Sequence, residues 1–289
     1  MHLREMETGF TETRVPPDIL GHRGARGLRP ENTWPAFARA IELGVDALEM
    51  DVVIAGDGTV VVSHEPWFSA TLCREPSGRP VRPFRRYNLY RMTYAEIARF
   101  DCGSRRHPRF PQQEPVPAPK PRLEDVLRRA EVYAAELGRP PVRYSIEIKS
   151  RPEWEGKYQP DPETFVRRVQ AVVAACGVTA RTTLMSFDVR VLQVARRLFP
   201  ELALSLLVEH HDRRPLADQL ARLGFVPEVY GPDYRLITAK LVAEVHARGM
   251  RLIPWTVNRV RDMQRLLRLG VDGLITDYPD RALALLREA

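Results

Sequence analysis

Gly21-His22-Arg23-Gly24-Ala25-Arg26-Gly27-Leu28-Arg29-Pro30-Glu31-Asn32-Thr33 follows the apolar run Asp18-Ile19-Leu20 and precedes a helical pattern from Trp34 to Leu43. A strand ends here, glycines and a proline shape a turn, and a helix begins. Asn32 or Thr33 is expected to cap that helix, with Pro35 in its first turn. The turn carries a histidine, three arginines and a glutamate. Charged side chains above a strand end, beside a helix N-terminus, suit an anion, and glycines let the backbone approach it closely. The plainer reading of this stretch alone is an ordinary corner with solvated arginines.

Moving outward, the pattern repeats. Residues 45–54 read as a second strand, and Gly56-Asp57-Gly58 as a turn. Residues 59–64 read as a third strand, ending at His64. The link between these two is too short for a parallel crossover, so a hairpin extension of strand two is expected. Residues 66–121 are rich in Pro and Arg and read as an insertion, with a Pro-rich loop at 111–121. Strands at 142–149, 181–187, 202–208, 228–232, 251–257 and 273–277 then alternate with helices at 123–137, 162–176, 189–199, 216–223, 238–248, 260–269 and 281–287. Such alternation predicts a TIM (β/α)₈ barrel with a small insertion after the third strand. The whole chain, 1–289, then forms one domain with the insertion at about 66–121. The count gives nine strand candidates, one too many, and 228–232 is the weakest. An open doubly wound sheet is the competing fold, but no GxGxxG fingerprint supports it.

With 289 residues, 44% hydrophobic and 28% charged, the chain has an ordinary globular composition. The net charge of +7 comes mostly from arginine, and no basic block stands out, so nucleic acid is not an expected partner. Cys73, Cys102 and Cys176 are odd in number and form no CxxC pair, which argues against a disulfide framework and for a reducing cytoplasm. Residues 1–15 are polar with mixed charge, unlike a signal peptide, and no apolar run approaches the ~20 residues of a membrane span. The oligomeric state leaves no mark on the sequence.

Active sites of such barrels lie at the C-terminal ends of the strands. Several strands here end in polar residues: His22 and Arg23, Glu49 and Asp51, His64, Glu147 and Lys149, Trp255 and Asn258, and Asp277. Residues two apart share a strand face, so Glu49 pairs with Asp51 and Glu147 with Lys149. Carboxylates on apolar strands are costly unless paired or metal-bound. Three converging on one mouth suggest a hard divalent cation, Mg²⁺ or Ca²⁺; salt bridging to strand-end arginines is the alternative. Trp255 taken alone reads as core. Asp277 reads as a turn residue before Pro279, and Ser186 as satisfying a local hydrogen bond.

The order His22-Arg23-Gly24, Glu31-Asn32-Thr33, Glu49-x-Asp51, His64, Glu147-x-Lys149, Ser186-Phe187, Trp255-Thr256-Val257-Asn258 and Asp272-Gly273 resembles the glycerophosphodiester phosphodiesterase family from about Asp18 onward. Each motif is short; their joint order and strand placement carry the likeness. The resemblance implies one divalent cation on Glu49, Asp51 and Glu147, and His22 and His64 as acid-base residues. It also implies phosphate contacts from Arg23 and Lys149, and Trp255 lining the pocket for a small-molecule glycerophosphodiester. The implied reaction releases sn-glycerol 3-phosphate and an alcohol. The insertion leaves the barrel at the mouth, where Trp67, Phe68, Phe84 and Tyr87 are expected to cover one wall. Competing readings are a lysophospholipase D-like activity on a lipid diester, a phosphoinositide phospholipase C-like barrel, and a catalytically dead phosphate- or lipid-binding barrel. A metal-dependent amidohydrolase would want His-x-His on strand one, which is absent.

Overall fold

The computed structural model describes residues 16–83 and 87–287. Among these, nine strands occur: β1 (Asp18–Gly21), β2 (Ala47–Ile54), β3 (Val60–Val62), β4 (Arg143–Ile148), β5 (Thr182–Ser186), β6 (Ala203–Val208), β7 (Val229–Pro232), β8 (Arg251–Leu252) and β9 (Gly273–Thr276). The helices are α1 (Trp34–Leu43), α2 (Tyr94–Ile97), α3 (Leu123–Glu136), α4 (Pro162–Ala175), α5 (Val189–Leu198), α6 (Leu216–Leu223), α7 (Ala239–His246), α8 (Val260–Leu269) and α9 (Pro279–Arg287).

Eight strands run parallel in the order β9-β1-β2-β4-β5-β6-β7-β8. The ring closes beyond β8, where Ile275 N donates to Pro254 O at 3.0 Å and Val257 N to Ile275 O at 2.9 Å. The ninth strand is the hairpin extension: β3 runs antiparallel to β2, with Val52 opposite Val62. This corrects the ranking of strand candidates. The segment read as weakest is the barrel strand β7, paired with both β6 and β8. The surplus strand is the valine-rich β3.

Helix α4 illustrates the outer layer. The Asp161 carboxylate accepts from Thr164 N at 2.9 Å, Pro162 opens the helix, and Phe165, Val166, Val169 and Val173 are fully buried. Each such residue contributes roughly 1.5–3 kcal/mol by leaving water. A second apolar set, including Leu20, Met185, Leu207, Ile253 and Ile275, fills the barrel interior. At its N-terminal end Asp18 pairs with both Arg143 and Arg251 at 2.6 Å. That end holds a cavity of only about 40 Å³, whereas the C-terminal end opens into a cleft of about 830 Å³.

Residues between β3 and α3 build a small core of their own from Phe68, Val81, Leu89, Ile97 and Phe100 against Val53 and Val61. Phe68 and Phe100 stack at 3.9 Å, and Tyr87 packs edge-on against both. So Phe68 and Tyr87 hold the insertion together and do not face the cleft; Phe84 lies outside the described residues. Cys73 and Cys102 are joined by a disulfide inside this core. The reading against disulfides is thereby overturned, because an odd total conceals one bonded pair plus the free Cys176. Among the described residues, no helix is long and apolar enough to cross a membrane.

Candidate active site

Strand register assembles the acidic cluster. Asp51 on β2 sits opposite Glu147 on β4, and Glu49 lies two residues back on the same face. One oxygen from each of the three carboxylates falls within 4.8 Å of the others, and all three residues are buried. Burial and the neighbouring Asp51 push Glu49 well above the usual carboxylate range. Burial would also raise Asp51, but Arg23, His64 and Lys149 outweigh it and hold that carboxyl low. Burial raises Glu147 even though Lys149 lies beside it. Three buried hard oxygen donors with too little positive charge among them fit a divalent cation.

The turn after β1 supplies the next layer. Gly24 has φ of +84°, and a Cβ there would lie 2.5 Å from the Ala36 backbone. Arg23 and Asn32 also adopt left-handed conformations, at φ of 51° and 54°, which costs a side-chain-bearing residue roughly 1–2 kcal/mol. The strain places useful groups. Arg23 N donates to Glu49 Oε2 at 2.7 Å, its Nη1 to Glu31 Oε1 at 2.7 Å, and its Nε lies 3.1 Å from Asp51 Oδ2. Asn32 Nδ2 donates to Asp51 Oδ2 at 2.8 Å. Asn32 therefore orients an acidic residue and does not cap α1. The N-cap position is Thr33, which makes no side-chain cap hydrogen bond.

His22 is fixed from behind. Its Nδ1 lies 2.6 Å from Asp277 Oδ1, and its Nε2 lies 3.8 Å from Glu49 Oε2. Asp277 also accepts from Arg26 Nε at 2.7 Å, Arg26 Nη2 at 3.1 Å and Asn258 Nδ2 at 2.7 Å. Burial would raise Asp277, but His22 and Arg26 hold it far below the usual range. An ionised carboxylate only accepts, so His22 carries its proton on Nδ1 and turns an unprotonated Nε2 toward the cluster. Burial and the Arg26 guanidinium bring the imidazole down to about 4, against the opposing pull of Asp277. Asp277 is thus no mere turn residue before Pro279.

His64 follows β3, with Nδ1 2.7 Å from Glu65 Oε1. Lys149 Nζ donates to Glu147 Oε1 at 2.6 Å and lies 3.6 Å from Asp51 Oδ1. Those carboxylates raise its pKa despite burial. Trp255 Nε1 donates to Gly231 O at 2.8 Å, and its ring meets Phe187 edge-on. His22, Arg23, Glu49, His64, Glu147, Lys149 and Trp255 all line the large cleft, and Asp51 completes the cluster at its base. Trp67 and Trp154 line it as well, packed edge-to-face at 5.5 Å. Ser186 Oγ accepts locally from Asp188 N and also donates across to Ile148 O at the end of β4.

The structure therefore brings together His22, Arg23, Glu49, Asp51, His64, Glu147, Lys149 and Trp255, but of the expected aromatic wall among the described residues it places Trp67 alone at the cleft. The partners missed were Asp277 as the holder of His22, together with Arg26, Glu31, Asn258 and Glu65. Asp277 and Asn258 carried a usable signal, since Asp277 directly follows β9 and Asn258 lies in the loop after β8, both at the mouth.

The glycerophosphoryl diester phosphodiesterase family matches residues 22–281. A glycerophosphodiester phosphodiesterase of Caldanaerobacter subterraneus subsp. tengcongensis is 30% identical over 273 residues, covering 93% of this chain and 98% of the relative. A solved structure from Silicibacter pomeroyi DSS-3, described under the same family name, matches with a TM-score of 0.84 at 33% identity over 95% of each chain. An Oleispira antarctica phosphodiesterase, solved with the product sn-glycerol-3-phosphate, matches with a TM-score of 0.72 over 94% of this chain and 97% of that one. Its 21% identity speaks for the fold alone.

Proposed function

Because the chain belongs to the glycerophosphoryl diester phosphodiesterase family, we propose that its barrel mouth hydrolyses glycerophosphodiesters to sn-glycerol 3-phosphate and an alcohol. One observation carries this reading: two imidazoles, each held at Nδ1 by a carboxylate, border a cleft floored by three clustered carboxylates. Glu49, Asp51 and Glu147 would hold Mg²⁺ or Ca²⁺, which supplies Lewis-acid stabilisation of charge on the phosphoryl oxygens. Arg23 and Lys149 add fixed positive charge where the transition state gains negative charge. The unprotonated Nε2 of His22 suits proton removal from the attacking hydroxyl. His64 is left to protonate the departing alkoxide, the second transfer a diester requires. Trp255 forms part of the substrate wall.

We read residues 1–289 as one barrel domain, with 66–121 as its insertion. The bonded Cys73–Cys102 pair removes the cysteine-count argument for a cytoplasmic location. The test is turnover of glycerophosphocholine before and after exhaustive chelation. Release of sn-glycerol 3-phosphate that stops on chelation and returns with added Mg²⁺ or Ca²⁺ is expected. Undiminished turnover in chelator would remove the metal from the scheme, and no turnover of any diester would leave a binding barrel.

A further inference from the structure

Behind His64 lies a buried ammonium that the scheme above does not use. Lys120, on the return limb of the insertion, is 8% exposed, and its Nζ donates to Ser63 Oγ at 2.7 Å. Ser63 is fully buried; its Oγ donates onward to Glu65 O at 2.6 Å, and its N donates to Asp51 O at 2.9 Å. His64 is therefore bracketed. The residue before it is tied to Lys120 and to β2, and the carbonyl of the residue after it is held by the same hydroxyl. The limb is anchored nearby by Val62 N on Pro121 O at 2.9 Å and by Tyr94 Oη on Lys120 O at 3.3 Å.

Among the described residues no carboxylate oxygen lies within ion-pair distance of Lys120 Nζ, and its ring neighbour is Phe68 at 5.7 Å. A buried ammonium without a paired carboxylate is costly, and docking an insertion needs no charge at all. The carboxylates that act on it through space, Glu65, Glu31 and Asp51, belong to the mouth. Lys120 itself does not line the cleft. We infer that Lys120 is a positioning residue, fixing through Ser63 the turn that presents His64 to the substrate. The inference rests on the proposed catalytic role of His64.

The experiment places Lys120→Met and Ser63→Ala in the full-length protein and in a His64→Ala background, with metal present. It measures kcat and KM on glycerophosphocholine, with thermal midpoints as a check on folding. Each substitution alone should lower kcat roughly 10-fold, short of the roughly 10²-fold that a full 1 Å misplacement of a catalytic group can cost, with KM changed less than twofold. In the His64→Ala background the same substitutions should change kcat less than twofold, because nothing is left to position. Equal losses in both backgrounds would show a merely structural role and overturn the inference. So would wild-type kcat in both single variants while His64→Ala is impaired. Wild-type turnover by His64→Ala itself would overturn the role of His64, and this inference with it. Should Lys120→Met fail to fold, Ser63→Ala, a smaller change, decides alone.

Discussion

The two imidazoles of the mouth are held alike at first sight: His22 Nδ1 lies 2.6 Å from Asp277, and His64 Nδ1 lies 2.7 Å from Glu65. Their surroundings differ. The Asp277 side chain is 1% exposed and is shared among His22, Arg26 and Asn258. The Glu65 side chain is 33% exposed, His64 is 30% exposed, and among the described residues no ion pair joins Glu65 to Arg or Lys. A carboxylate cut off from water must be saturated by donors. When one donor is a guanidinium, the carboxylate has less charge left to stabilise an imidazolium. The burial of His22 itself, with the Arg26 guanidinium beside it, therefore keeps the imidazole neutral, as a base must be, against the pull of Asp277. The His64 pair, reached by solvent, has a supply of exchangeable protons.

The largest effects fall on the imidazoles themselves. His22→Ala and His64→Ala should each lose about 10²–10⁴ in kcat, the usual worth of positioned acid-base groups. The double variant should be little worse than the poorer single, since residues acting as a unit are non-additive. A nitrophenyl phosphodiester, whose leaving group needs no acid, sharpens the comparison. It should restore turnover to His64→Ala and leave His22→Ala impaired; the reverse pattern would exchange their roles.

Next comes Asp277→Asn, expected to cost roughly 10²–10³ in kcat, because an amide can donate to Nδ1 and reverse the tautomer. Loss of metal binding by this variant, measured calorimetrically, would instead show that Asp277 supports the acidic cluster. Much of this contrast was beyond sequence reasoning. Glu49-x-Asp51 and Glu147-x-Lys149 could be read because a strand places i and i+2 on one face. The barrel could be read because its units repeat. But His22 and Asp277 stand 255 positions apart and meet only because β1 and β9 are neighbours in the closed ring. Gly231 and Pro232 disguise β7, and three valines advertise β3, because β-propensity reports fit to a pleated surface and not a strand's place in the ring. The Cys73–Cys102 bond depends on how the insertion folds on itself, which cysteine spacing does not encode.

A smaller effect concerns stability on the buried side. Burial would raise Glu31, but Arg23 and Arg26 outweigh it and hold the carboxyl at about 2, against 4.5 ordinarily. A carboxyl with a depressed folded-state pKa contributes stability that is present above its unfolded value and lost as pH falls toward the folded one. The contribution, at most about 3 kcal/mol, should therefore be complete above about pH 4.5 and vanish near pH 2. Urea unfolding across that window should show wild type and Glu31→Gln converging as pH falls. A gap that stays constant with pH would assign the effect to packing.

The smallest expected effect belongs to Glu65→Gln. Glu65 lies below the usual carboxylate range because the hydrogen bond and charge of His64, with Lys120 and Arg23, outweigh its burial. Both members of the pair are about one-third exposed, so water can take over part of the role of the carboxylate, and exposed ion pairs contribute little. The Gln side chain keeps an oxygen that can accept from Nδ1. The backbone bond from Ser63 Oγ to Glu65 O also survives, since the substitution spares the main chain. Glu65→Gln should then lose less than about 10-fold in kcat, under about 1.4 kcal/mol, with thermal stability unchanged. A loss equal to that of Asp277→Asn would abolish the asymmetry: it would make Glu65 as indispensable to His64 as Asp277 is to His22, whatever the solvent does.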